Sequence, residues 1–160
     1  MNVCAAVETA MAEVLRQFAE LGENVTIRQW RGLNADGSWD ADKDRSFPMV
    51  DIRCSTPRTD GDERTHVVDC PLLLGTNTDD DRDHAQINAL EDAAQTVVDR
   101  IYDGFWKSST SEYETFAASL SANVPAGVNI GGITIGDGLA PMVQNGVNMV
   151  GITLRVHFSR

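Results

Sequence analysis

THVVDCPLLLGTNTDDDRDHAQINALEDAAQTVVDRI, residues 65 to 101, is the stretch that decides the fold. In its first part Val68, Cys70, Leu72 and Leu74 alternate with Val67, Asp69, Pro71 and Leu73. That period of two predicts a strand with one buried face. In its second part Ile87, Leu90, Ala94, Val97 and Ile101 recur at spacings of three and four, a single apolar stripe along a helix. The polar run TNTDDDRDHA joins the two. A helix with one apolar stripe must lie on something apolar, and the strand before it offers a matching face. The unit therefore predicts a sheet covered by helices.

Working outward, the segment upstream supplies the return arm of a hairpin. Val50, Ile52 and Cys54 alternate with Asp51 and Arg53, and Pro57 with Asp60-Gly61 marks the turn. Residues 31–46 (RGLNADGSWDADKDRS) form a loop, long for a small domain. Trp39 at its middle is either an interface anchor or a side chain folded back on its own core. Val25 to Trp30 reads as a short strand. A first helix is expected from about residue 3 to 21, on the stripe Val3, Val7, Met11, Val14, Leu15, Phe18 and Leu21, with Gly22 ending it. Downstream, Gly104 is expected to end the second helix. A short third helix starts near Ser111 and stops before Pro125. Residues 128–135 and 147–158 read as strands, the last with Val150, Ile152, Leu154, Val156 and Phe158 on one face. The fold class expected is α+β in a single domain, 1–160. It has one mixed, mainly antiparallel sheet flanked by two main helices, with a β-hairpin and a glycine-rich late segment, 125–146, that is an arm or hairpin.

A chain of 160 residues is long enough to bury a core without disulfides. Its net charge of −11 argues against a sequence-independent grip on nucleic acid, which needs clustered Lys and Arg. The excess acid all lies before Gly104. Cys4, Cys54 and Cys70 form no CxxC pair, a pattern that suits buried thiols in a reducing compartment, with a Cys54–Cys70 bridge between neighbouring strands as the lesser alternative. No signal peptide is expected, and no run approaches the ~20 apolar residues that span a bilayer. Synthesis in the cytoplasm is expected.

Residues that invite chemistry have plainer readings. Asp79, Asp80, Asp81 and Asp83 beside His84 suggest calcium, but an EF-hand loop started at Asp79 has His84 where glycine belongs and Leu90 where glutamate belongs. Capping of the following helix is the better account. Gly131 to Gly138 lacks the GK[ST] ending of a phosphate loop. His66, His84 and His157 have no metal-ligand spacing, although His66 and His157 are placed on one sheet face. No catalytic residue, metal or cofactor is expected, and the protein is not expected to be an enzyme.

The runs FPMVDIRC (47–54), HVVDCPLLLGTNTDD (66–80), INALEDAAQTVVDRI (87–101) and the closing VGITLRVHF (150–158) resemble, in order and style, the tail terminator (tail-completion) proteins of long-tailed bacteriophages. The resemblance covers most of residues 1–104 and the last dozen. It implies a structural virion protein: a ring, usually of six copies, at the head-proximal end of the tail. Its partners would be other copies of itself, the tail tube protein below and a neck or connector protein above. DNA would pass through an acidic channel without specific binding, and no membrane would be involved. The polar face with Asp51, Arg53, Asp69 and Arg155 would meet the channel or neighbouring copies. Ile133, Ile135, Leu139 and Met142 in the glycine-rich segment, with Trp39, are the other expected interface residues. The alternatives are another neck or tube-like component, or a small hydrolase or ligand-binding domain.

Overall fold

Two long strands, β4 (Thr65–Asn77) and β6 (Val147–Ser159), pair antiparallel over their whole length in the computed structural model. The structure describes residues 2–21, 24–28, 47–55, 57–59, 65–144 and 146–159. On one side of β4–β6 lies β2 (Met49–Ile52), with β1 (Val25–Ile27) parallel to it at the edge. On the other side lies β5 (Asn129–Gln144), antiparallel to β6. The sheet order is β1-β2-β4-β6-β5, and the two-residue β3 (Arg58–Thr59) also pairs with β4. The sheet is mixed, with one parallel pair.

The alternation expected in β4 and β6 is present. Val68, Cys70, Leu72 and Leu74 join Val150, Ile152, Leu154, Val156 and Phe158 in the main core, under the helices. On α2 (Ala85–Trp106), Ile87, Leu90, Ala94, Val97 and Ile101 are all buried, and the helix lies over β4, β5 and β6. The first helix, α1 (Val3–Leu15), covers β1, β2 and β4. Across both helices lies α3 (Ser111–Asn123), started by the Thr110 hydroxyl, which accepts from the Tyr113 amide at 3.2 Å. Met49, Val147 and Met149, with Phe47 and Leu73, form a smaller cluster on the opposite face.

Three expected boundaries move. Helix α1 stops at Leu15, and residues 16–21 continue as tighter turns in which Phe18 N–H donates to Leu15 O and Leu21 N–H to Phe18 O, both at 3.1 Å. Residues three apart stay on one side in such turns as they do in a helix, so the stripe does not record the change. Helix α2 runs through Gly104, which is buried where α3 crosses. A Cβ there would run into Tyr113, so glycine permits the close approach of two helices instead of ending one. Strand β5 continues past Ile135 to Gln144. The loop at 31–46, with Trp39, and the turn at Asp60-Gly61 lie outside the described residues.

The extension of β5 works by bulging. Its register against β6 shifts between Ile130 and Gly132, between Gly136 and Leu139, and between Leu139 and Met142. Each shift sets one extra β5 residue against β6, which bends and twists the strand. At the middle bend the two backbones nearly touch, since a Cβ on Gly138 would strike the Gly151 carbonyl. No helix among the described residues is long and apolar enough to cross a membrane.

Candidate functional site

The sheet face away from the helices is built by the odd-numbered residues of β2, β4 and β6. Asp51 is buried there and accepts a hydrogen bond from the Thr26 hydroxyl at 2.6 Å. It is therefore not an open channel-facing charge. Asp69 sits between two arginines: Arg155 Nε donates to it at 2.7 Å, and so does Arg58 Nη1 at 2.7 Å. Burial works against the Asp69 charge, but these hydrogen bonds and the two positive charges outweigh it and hold the carboxyl below its usual range. The mixed signs expected to pair between copies are thus paired within one chain at Asp69 and Arg155. Arg53 is exposed.

The outer half of β5 presents the most unusual surface. Ile135, Leu139, Met142 and Val143 are 44%, 41%, 41% and 59% exposed. Asp137 is the one charged residue in β5. Ile133 departs from the expectation. It lies opposite Val156 on the helix side and is fully buried, so it belongs to the core and not to an interface. The bend of β5 also shapes a groove of about 510 Å³, open to solvent, over the far face of the sheet. Leu73, Leu139, Met142 and Met149 give it apolar walls, and Arg53 and Asp137 stand among its lining residues.

Trp106 was not singled out by its sequence context. It is 51% exposed, stacks edge-on against Phe105, and donates its indole N–H to the Ile133 carbonyl at 2.6 Å. The α2 stripe gives no sign of it, because Trp106 lies beyond the stripe's last turn. Glu8 was also missed. This buried α1 carboxylate is paired with Arg28 at 2.7 Å, and the Cys54 amide donates to it at 3.3 Å.

The acidic run before α2 is a cap. Asp81 is buried and accepts from the Gln86 and Ile87 amides at 2.8 and 2.9 Å and from the Thr76 hydroxyl at 2.7 Å. Asn148 donates to its backbone oxygen at 2.9 Å, across from β6. Burial opposes the Asp81 charge, but the Thr76, Gln86, Ile87 and Asn148 hydrogen bonds prevail and hold its pKa below the usual carboxylate range. Asp79, Asp80 and Asp83 are exposed. Among the described residues no group of three or more His, Cys, Asp or Glu side chains is placed to hold a metal ion.

The histidines are dispersed. His66 lies opposite Phe158 on the helix side, whereas His157 lies opposite Val67 on the far side. They do not share a face, because neighbouring strands put directly opposed residues on the same side. His157 Nε2 is 3.1 Å from the Thr134 hydroxyl, and His84 is exposed at the start of α2 with a φ of 61°. Gly131 to Gly138 is part of β5 and makes no loop.

No protein-family model matches this chain, and no curated protein matches it.

Proposed function

We propose that the protein is a structural subunit, not an enzyme, that assembles into a ring and caps the tail tube of a long-tailed bacteriophage. The observation that carries the reading is the bare apolar row along the outer part of β5, with Leu139 and Met142 on the far face and Ile135 and Val143 on the helix side. An acidic chain with net charge −11 gains nothing as a monomer from such a row, since apolar patches of this kind invite association. Three bulges and Pro141, which has no N–H, make the β5 edge a poor template for adding a strand. Side chains, not a backbone ladder, are then the points of contact with neighbouring copies. The negative charge suits a channel wall from which DNA phosphates are repelled. The order of elements, with its resemblance to tail terminators, supports a position at the head-proximal end, between tube and neck.

The test is to polymerise the tail tube protein of the same phage with and without this protein and to image the tubes by electron microscopy. Tubes ended by a ring of density at one end are expected. Tubes that keep growing, with bare ends, would remove the proposal. The groove between β5 and the far sheet face favours a second reading, a domain that binds an apolar ligand. That reading expects a monomer in which the groove alone is protected on ligand binding.

A further inference from the structure

The ladder between β2 and β4 does not end at the last assigned pair, Ile52 with Leu72. Arg53 N–H donates to Pro71 O at 3.3 Å and Ser55 N–H donates to Asp69 O at 2.8 Å, which sets Cys54 directly opposite Cys70. Because the flanking pairs hold the backbone bonds, Cys54 and Cys70 form a non-hydrogen-bonded antiparallel pair. Such residues have Cα atoms about 4.5 Å apart, just inside the ~4.4–6.8 Å range that a disulfide spans. Both side chains turn to the helix side, and both thiols are free. An open pocket of about 600 Å³ reaches Cys54, lined also by Cys4, Arg28 and Arg53. Cys70 is fully buried behind it.

We propose that Cys54 and Cys70 are a redox-active cross-strand pair that closes into a reversible disulfide when a small disulfide oxidant enters the pocket beside α1. Cys54 reacts first. Its Sγ gives up a proton to water, attacks one sulfur of the oxidant and expels the other half as a thiol. Cys70 then loses its proton and attacks Cys54 Sγ in the mixed disulfide, and the second half of the oxidant leaves as a thiol. Two protein thiols lose two electrons, and one disulfide reagent gains them. A pair at the short end of the permitted Cα range closes under strain, so the bond is easily reduced.

The groups facing Cys54 are Cys70 on β4, Glu8 and Cys4 on α1, and Arg28 after β1, which is paired with Glu8. The neighbouring Cys70 thiol and burial raise the Cys54 thiol far above its ordinary range. The closure is therefore slow at neutral pH, and its rate rises about tenfold for each pH unit as the thiolate fraction grows.

The probe is 4,4′-dithiodipyridine added to the folded protein at pH 7 and pH 8. Wild type is expected to release two thiopyridones for each reagent consumed, to lose two hydrogens in mass, and to yield a Cys54–Cys70 peptide that dithiothreitol reverses. Cys70→Ala should stop at a stable adduct on Cys54, and Cys4→Ser should still close the bridge. Circular dichroism of each variant establishes that it is folded, and Cys54→Ala is the second route should Cys70→Ala fail to fold, since it should leave Cys70 unreacted. Reaction only after urea, or a bridge that includes Cys4, would overturn the proposal.

Discussion

Asp81 satisfies the amides that open α2 and, through Asn148, ties that helix end to β6. A carboxylate is needed, because every group aimed at its side chain is a donor. Asp81→Asn should lower stability by about 2–4 kcal/mol, read by urea unfolding, whereas Asp80→Asn at an exposed position should change it by under ~0.5 kcal/mol. Asp69, Asp81 and Glu112 all have pKa values held below the ordinary carboxylate range. For Glu112 burial works the other way, but its hydrogen bond with Arg100 on α2 prevails. A folded-state pKa below the unfolded one gives stability that is complete above the ordinary carboxylate range and is lost as pH falls through the depressed values. Melting temperature should thus be flat near neutrality and fall on acidification below about pH 4, with a shallower acid limb in Asp81→Asn. The sequence announces capping at this turn, but not which aspartate provides it. Four candidates lie within five residues, and the choice depends on the backbone path through His84, whose positive φ no local pattern specifies.

At the scale of elements, α2 was legible and β5 was only half so. The α2 stripe repeats at one period for four turns, and every residue read from it is buried. Leu90→Asp removes roughly 1.5–3 kcal/mol of apolar burial and adds an unpaired charge under the helix. That variant should not fold cooperatively, as judged by circular dichroism on heating. Strand β5 loses its alternation at the bulge after Ile130 and again at the two bulges after Gly136, and each resets the face. That is why residues 125–146 read equally as an arm and as part of the sheet. The structure contains something of both: Ile133 completes the core, and the far half projects Leu139, Met142 and Val143. The double variant Leu139→Gln/Met142→Gln should change stability by no more than about 1 kcal/mol. Its loss should appear in assembly instead, as a fall in sedimentation coefficient to that of one chain.

For the whole molecule, the α+β class, the mixed sheet and the packing of helices on one face were legible because burial imposes a period on sequence. The candidate surface was less legible, because exposed residues answer to no period. Asp51, Asp69 and Arg155 alternate as outward residues should, yet the chain satisfies Asp69 and Arg155 through each other and buries Asp51 against Thr26. Among the described candidate residues, Arg53 and the outer part of the β5–β6 hairpin are exposed. The most direct test of the account is native mass spectrometry of wild type and of Leu139→Gln/Met142→Gln across a range of protein concentrations. Wild type is expected to form a closed ring of a single stoichiometry, and the double variant to stay a folded monomer. Wild type that remains a monomer at every concentration would contradict the ring, and a ring that survives both substitutions would contradict the hairpin as its contact.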